Sequence, residues 1–165
     1  MKKFASFHGT ITLINDYPIS SSGKDAGCYK LMTVQNSSGD IVNFTVGPDT
    51  YFVYHITLSA GDNVTGFYDA NAPAILIFPP QFKALVMAKD SAYENVKVDY
   101  FNDELISSDN SLKLNIAPCT TMLLENNQMF TGNPKNRNLI VAYGPSTKSI
   151  PAQTVPYKII VMCQQ

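Results

Sequence analysis

The stretch YDANAPAILIFPPQFKALVM, which spans Tyr68–Met87, carries the pattern that decides the fold, because it recurs later in the chain. Its counterpart, YGPSTKSIPAQTVPYKIIVM, spans Tyr143–Met162, 75 positions further on. Without gaps, the two opening tyrosines coincide, Lys83 coincides with Lys158, and both stretches end on Val-Met. Similarity at a fixed spacing is the sequence signature of a repeated structural unit.

Two further pairs of segments support the repeat. VNFTVGPDTYFV (42–53) resembles LKLNIAPCTTML (112–123), and ITLINDYPISS (11–21) resembles VDYFNDELISS (98–108). The spacing differs among the three pairs, which indicates insertions and deletions in loops rather than a different order of segments. Three pairs in one order predict an internal duplication.

The spacing of apolar residues within each copy is two rather than 3.6, which is the period of a strand. In IVNFTV, for example, Val42, Phe44 and Val46 alternate with more polar residues. This alternation predicts a strand with one face toward a core and the other toward solvent. Turn-forming segments such as SSG, GPDT, DANAP and TGNPKN separate the strand-like runs.

Prolines limit where strands can lie in the quoted stretch. Pro79 and Pro80 cannot donate ladder hydrogen bonds, so this part is predicted to be an edge segment or a loop across the end of a barrel. A proper strand is expected afterwards, at Phe82–Met87. Short strands and frequent turns are typical of small barrels. We therefore predict an all-β fold of two tandem, pseudo-symmetric, OB-like β-barrel units formed by internal duplication, at 7–89 and 96–165.

The charge distribution argues against several classes of partner. The 165-residue chain has a formal net charge of −1, and Arg137 is its only arginine. Nucleic-acid binding needs a basic surface, so no nucleic-acid partner is predicted. No apolar stretch reaches the roughly 20 residues of a membrane helix, so no membrane insertion is predicted. The N-terminus has no signal-peptide pattern, which leaves a cytoplasmic, spore-associated or non-classically exported protein as the expectation.

The residue types needed for catalysis or metal binding are few and scattered. Cys28, Cys119 and Cys163 lie far apart without C-x-x-C spacing. A three-cysteine zinc site is one interpretation, and buried or inert thiols are the favoured one. His8 and His55 are the only histidines, and neither has an orienting carboxylate nearby in sequence. We predict no enzyme, no catalytic residue, no metal and no cofactor.

Aromatic residues are the strongest candidates for a binding surface. Since OB-like barrels stack sugars or bases on exposed aromatic rings, a tyrosine face could bind a glycan or another polymer. The competing interpretation is that alternate aromatic residues pack into the core and the others are ordinary surface residues. The candidate binding residues are Tyr51, Tyr54, Tyr68, Tyr100 and Tyr143.

The segments FTVGPDTYFV, GFYDANAPAILIFPPQFKALVM and STKSIPAQTVPYKIIVM resemble a family of uncharacterised proteins from clostridia and related Firmicutes. The resemblance covers most of the chain between Gly9 and Met162 and is most specific over Tyr68–Phe82. In that family the module is often found in exported proteins, beside a stalk domain named after the N-terminal part of copper amine oxidases. This sequence shows neither a signal peptide nor the stalk domain. The resemblance therefore implies a bacterial module without an assigned activity, and nothing about copper.

Two functions are compatible with these patterns. The first is a non-enzymatic structural or interaction protein of a bacterial surface or spore layer. It would associate into a homo-oligomer, since a near-zero charge gives little repulsion between copies. The apolar terminal segment Lys158–Cys163 is the predicted contact strand, and a buried position inside its own sheet is the alternative. The second function is a module that binds glycans or cell-envelope polymers through the aromatic face.

Overall fold

The structure, a computed structural model, describes residues 2–17, 23–73 and 76–163. It confirms the all-β prediction, because the described residues form 13 strands and their one helical element is the 3₁₀ turn Val53–His55. No helix in the described part of the chain is long and apolar enough to cross a membrane. Parts of the predicted repeat, at residues 18–21, 74–75 and 164–165, lie outside the described residues.

The chain divides into two compact units. We call them the N-terminal unit (Phe4–Asp90) and the C-terminal unit (residues 91–163, with residues 2–3). Each unit has an apolar core of its own. The largest fully buried side chain of the first core is Phe44 and that of the second core is Phe101.

The N-terminal unit contains one seven-stranded sheet. Its strands are β1 (Phe4–Asp16), β2 (Lys30–Gln35), β3 (Ile41–Val46), β4 (Tyr51–Phe52), β5 (Asn63–Asp69), β6 (Gln81–Lys83) and β7 (Val86–Lys89). The strand order is β4-β7-β5-β1-β2-β3-β6, in which β3/β6 and β4/β7 are parallel and the other neighbours are antiparallel. Only Ala84 and Leu85 separate the edge strand β6 from β7, which lies next to the opposite edge strand, so the sheet must curve.

The C-terminal unit repeats this pairing order in two smaller sheets. Its strands are β8 (Asn95–Phe101), β9 (Leu112–Leu114), β10 (Thr121–Leu124), β11 (Arg137–Tyr143), β12 (Ala152–Thr154) and β13 (Lys158–Met162). The sheets have the orders β10-β13-β11-β8 and β12-β9. Two isolated bridges, Phe101 with Ser107 and Ile106 with Lys113, link β8 to β9. Ile106 and Ser107 therefore lie between β8 and β9, at the place where the N-terminal unit has the strand β2.

The same threonine contact occurs in both units. Thr50 Oγ1 donates a hydrogen bond to the carbonyl oxygen of Ala84 at 2.8 Å, and Thr120 Oγ1 donates one to the carbonyl oxygen of Pro156 at 2.8 Å. Each threonine follows a proline by two positions, in GPDT and APCT, and these segments are aligned in the sequence comparison. Thr50 thereby fixes the start of β4 beside the segment that leads into β7. Thr120 fixes the start of β10 beside the segment that leads into β13 in the same way.

These contacts correct the alignment of the closing segments. The contacts match Ala84 with Pro156, which lies 72 positions further on, whereas the sequence comparison used a spacing of 75 positions. The predicted match of Lys83 with Lys158 is therefore wrong, since Lys83 lies in β6 beside Thr45 and Lys158 opens β13 beside Thr121. The physical reason is a shorter connection between β11 and β12 than between β5 and β6.

The prediction of tandem OB-like barrels is also wrong. An OB fold is a five-stranded Greek-key barrel, whereas the N-terminal sheet has seven strands and a parallel pair at each end. The single strand expected over 82–87 is divided. The Ala84 amide donates to the carbonyl oxygen of Thr45 at 2.9 Å, and the Leu85 amide donates to that of Phe67 at 2.8 Å. At this point the chain leaves the edge strand β6 and enters β7, which lies next to the opposite edge strand β4.

The alternation predicted for β3 is confirmed. Val42, Phe44 and Val46 are buried, and the three residues between and before them are half-buried. One face of β3 therefore supplies the core, as the period of two requires. The same arrangement holds in β9, where Leu112 and Leu114 are buried on either side of Lys113.

The C-terminal strand is not an edge. β13 lies between β10, its parallel neighbour, and β11, its antiparallel neighbour. Ile159, Ile160 and Val161 are at most 2% exposed. The predicted contact strand between subunits is therefore wrong, and its alternative, a buried position within its own sheet, is correct. The apolar sequence reflects burial on both faces of the strand.

An ionised carboxylate organises the turn that precedes β9. Asp109 Oδ1 accepts hydrogen bonds from the Ser107 and Ser111 hydroxyls at 2.7 Å, and Oδ2 accepts one from Lys97 Nζ at 2.8 Å. Burial by itself raises the pKa of Asp109, but the lysine and the two serines together hold that pKa well below its usual range. The turn keeps its charge throughout the neutral pH range.

Candidate functional site

The structure gives one histidine a carboxylate partner that the sequence did not indicate. His8 Nε2 lies 2.6 Å from Asp90 Oδ2, and both side chains are substantially exposed. Within the described residues the His8 ring makes no further hydrogen bond, so no nucleophile is held against it. His55 contacts the ring of Tyr51 edge-on, at 5.3 Å between centroids. Neither arrangement is a nucleophile–base–orienter constellation.

The three cysteines are exposed and unpaired. Of the two alternatives in the prediction of buried or inert thiols, burial is therefore wrong for Cys28, Cys119 and Cys163, and inert thiols stay a prediction. Cys28 Sγ contacts the carbonyl oxygen of Lys24 at 3.6 Å. Among the described residues, no group of three or more His, Cys, Asp or Glu side chains is arranged to hold a metal ion.

The five candidate tyrosines are divided between the two units and differ in burial. Tyr51 is buried, whereas Tyr54 is 46% exposed and lies in the 3₁₀ turn with a φ of 65°. Tyr68 and Tyr143 are half-buried and pack against the cores of their respective units. Tyr100 lines a groove of the C-terminal unit.

A groove of about 290 Å³ on the N-terminal unit brings together aromatic residues that the sequence analysis did not select. We call it the aromatic groove. Three of its side chains are aromatic rings, one is a carboxamide and two are oppositely charged. The lining residues are Tyr17, Tyr29, Thr45, Gly47, Asp49, Pro73, Gln81, Phe82 and Lys83.

The β1–β2 pair positions the two tyrosines of this groove. Tyr17 directly follows β1 and Tyr29 directly precedes β2, and the Tyr17 amide donates to the carbonyl oxygen of Tyr29 at 2.9 Å. Parallel pairing of β3 with β6 brings Gln81 alongside. Gln81 Nε2 donates to the Tyr17 hydroxyl at 2.9 Å, so the amide is held with its oxygen available to a ligand.

Close packing fixes the rings. A Cβ atom added at Gly47 would lie 2.8 Å from Cε2 of Tyr29, so the tyrosine ring rests on the glycine backbone and only glycine permits this approach. The Phe82 ring stacks on Tyr68 with centroids 4.0 Å apart and planes 8° from parallel. Tyr68 therefore supports the groove from within the unit, although it does not line the groove. At the rim, Lys83 Nζ lies 2.8 Å from Asp49 Oδ2.

A second groove, of about 610 Å³, lies on the C-terminal unit. We call it the amide groove because three of its side chains are asparagines. It is built from the loop before β11 together with the ends of β8, β11 and β13. The lining residues are Tyr100, Asn133, Lys135, Asn136, Arg137, Asn138, Met162 and Cys163.

The row of residues beneath the amide groove is set by strand register. Asn138 of β11 pairs with Tyr100 of β8 on one side and with Met162 of β13 on the other. Asn138 is 6% exposed, and its Oδ1 atom is buried without a hydrogen-bond partner among the described residues. Buried polar atoms are almost always paired in folded proteins, so this atom requires an explanation.

Sequence reasoning missed Tyr17, Tyr29 and Asn138 for different reasons. The two tyrosines flank an 11-residue connection, and only the β1–β2 pairing brings them together. Asn138 stands beside the apolar run LIVAY, where a polar residue in a buried strand is itself an informative signal. The unusual arginine at position 137 is a further signal, since the chain has no other.

A scan against protein-family models found no matching family, and searches of curated proteins and of solved structures found no match. The resemblance to clostridial modules therefore stays a prediction. Function has to be inferred from the two grooves and the exposed surface.

Proposed function

We propose that this protein is a non-enzymatic binding module for saccharides, and that the aromatic groove holds a sugar ring. The observation that carries the proposal is the convergence of Tyr17, Tyr29 and Phe82 around the Gln81 carboxamide. A sugar presents an apolar C–H face and a rim of hydroxyl groups. Rings that stack on the face and an amide that bonds the rim are the complementary chemistry.

The dimensions and rigidity of the groove support a small polar ligand. Its volume of about 290 Å³ is close to the lower limit of the range of about 300–1,000 Å³ for small-molecule sites. Tyr29 is held against Gly47, and Phe82 is held against Tyr68, so little side-chain entropy is lost when a ligand binds. The exposed pair of Asp49 and Lys83 offers a carboxylate and an ammonium to ring hydroxyls at the rim.

Binding to an array of neutral and acidic oligosaccharides tests this function. For the best ligand, Tyr29→Ala is expected to weaken binding by about tenfold, or about 1.4 kcal/mol, because it removes one stacking face. The matched control is Tyr93→Ala, which removes a tyrosine that is 87% exposed and lies outside the groove. If calorimetry shows equal affinity for the Tyr29→Ala variant and the intact protein, the aromatic groove is not the saccharide-binding site.

We also infer that the two units descend from one duplicated ancestor. The shared pairing order and the shared threonine contacts at Thr50 and Thr120 support this inference. At the corrected spacing, Thr154 stands where the first unit has Phe82, and Val155 stands where it has Lys83. The aromatic groove is therefore a specialisation of the first copy.

A second candidate function is self-association at a bacterial surface or spore layer. Its support is the exposure of large apolar side chains: Phe78 is 85% exposed and Ile150 is 89% exposed, each directly before a proline. Exposed apolar surface on a chain with little net charge favours contacts between proteins. The resemblance to exported clostridial modules is compatible with this location.

Sedimentation velocity tests self-association. The intact chain is expected to sediment faster as its concentration rises, and the double variant Phe78→Ser/Ile150→Ser is expected to stay monomeric, because serine removes the apolar contact. A Leu13→Ser variant is the control, since Leu13 is a large apolar residue that is 51% exposed elsewhere on the surface. A monomeric intact chain at high micromolar concentration would rule this candidate out.

A further inference from the structure

We propose that the amide groove of the C-terminal unit is a second binding site, which takes a saccharide that carries a carboxylate, such as a uronic-acid oligosaccharide. It shares no lining residue with the aromatic groove, so an experiment can disprove binding at one groove without disproving binding at the other. Three observations from the described part of the chain carry it: an arginine held in place, a buried amide without a partner, and a lining without Asp or Glu.

Arg137 is held by two contacts that leave its terminal amino groups available. Its Nε donates to the carbonyl oxygen of Asn133 at 2.9 Å, and its guanidinium lies 5.2 Å from the centre of the Phe130 ring. No carboxylate pairs with it among the described residues. A guanidinium with a fixed plane and two unused amino groups is arranged to bind a carboxylate through two parallel hydrogen bonds.

The loop before β11 adds further donors at the same rim. The Lys135 amide donates to Asn133 Oδ1 at 3.0 Å, which leaves the amino group of the asparagine side chain for a ligand. Asn136 adopts a φ of 58°, and its Oδ1 accepts a long hydrogen bond from the Tyr100 hydroxyl at 3.4 Å. Lys135 supplies a second cation, and no Asp or Glu is among the described residues that line the groove. The rim therefore favours a ligand with acceptors and negative charge.

Asn138 favours a ligand that carries hydrogen-bond donors as well as a negative charge. Its buried Oδ1 needs a donor, and an amide can also rotate to present its amino group. A bare carboxylate supplies only acceptors at neutral pH, whereas a uronic acid carries hydroxyl donors on the ring next to its carboxylate. One sugar can thus pair with Arg137 and Asn138 together, with the Tyr100 ring beside it. The volume of about 610 Å³ has room for more than one residue of such a chain.

The test is calorimetric titration with trigalacturonic acid and with its methyl ester, which has the same rings but no charge. The acid is expected to bind about tenfold more tightly than the ester, and the difference should shrink as salt is added. Arg137→Gln is expected to weaken binding of the acid by about tenfold or more, because it removes the paired donors and the charge. Lys148→Gln, which removes one exposed charge outside the groove, is the matched control.

Asn138→Leu separates a binding role from a structural one. The substitution replaces a buried amide by an apolar group of similar size, so the variant is expected to unfold at a higher urea concentration while it binds the acid about tenfold more weakly. Tyr29→Ala should leave this binding unchanged. The proposal is overturned if trigalacturonic acid does not bind, if acid and ester bind equally, or if Asn138→Leu and Arg137→Gln both bind like the intact protein.

Discussion

Replacement of Ile160 by lysine is expected to unfold the C-terminal unit rather than to separate subunits. Ile160 is 2% exposed and lies in the middle of β13, with Leu123 beside it on β10 and Ile140 beside it on β11. A lysine there must either bury its ammonium group or force the strand out of the sheet. The expected loss is about 4 kcal/mol or more, a large part of the total of about 5–15 kcal/mol for a folded domain.

Urea unfolding followed by circular dichroism measures this loss. The control is Val155→Lys, which introduces the same charge at a position that is 45% exposed, close by in the same unit. Its stability should stay within about 0.5 kcal/mol of the intact protein. A folded Ile160→Lys variant with an unchanged urea midpoint would contradict the central position of β13.

The outcome at β13 illustrates which parts of the fold the sequence could predict. The alternation in β3 identified its buried face correctly, because a strand with one face toward the core has an apolar residue at every second position. A strand such as KIIVM, which is apolar at every position after Lys158, shows no such alternation. It is equally compatible with an exposed edge that contacts another subunit and with a strand buried on both faces. Its neighbours β10 and β11 decide between the two.

The closing segments show the same limit for pairing. The match of Tyr68 with Tyr143 and the match of Lys83 with Lys158 have equal weight in a gap-free comparison. A shorter connection in the second unit shifts the later positions, and only the contacts of Thr50 and Thr120 reveal the shift. Loop length is weakly constrained by energy, so a fixed spacing is not preserved across loops.

The grooves were less predictable than the strands. Counting tyrosines selected Tyr51 and Tyr143, which pack inward, because composition does not say which face of a strand a ring occupies. The rings of the aromatic groove come from residues on either side of a connection and from β6 across the sheet. Such a site depends on non-local pairing, and periodicity describes local structure only.

Combined substitutions at Phe44 and Gly66 should reveal a strong coupling in the core of the N-terminal unit. Phe44→Ala removes a fully buried ring and is expected to cost about 3–5 kcal/mol. Gly66→Ala is expected to cost about 1–3 kcal/mol by overpacking, because its added Cβ would lie 2.5 Å from Cζ of the Phe44 ring. In the double variant the new methyl group enters the space that the ring has left. The double variant should therefore be at least about 1 kcal/mol more stable than the sum of the single losses predicts.

Urea midpoints of the four proteins measure the coupling, and Gly61→Ala supplies the control. Gly61 has a φ of 95° and nothing within 4 Å of an added Cβ, so its substitution strains the backbone without touching the ring. Phe44→Ala and Gly61→Ala should be additive within about 0.5 kcal/mol. Additivity of the Phe44 and Gly66 losses would show instead that β3 and β5 do not meet at this ring.

The loss of the Phe44 ring also has a consequence for binding, because Phe44 contacts Tyr68, with ring centroids 6.2 Å apart, and Tyr68 in turn supports Phe82 in the aromatic groove. Phe44→Ala is thus expected to weaken saccharide binding under conditions in which the variant is still folded, although Phe44 does not line the groove.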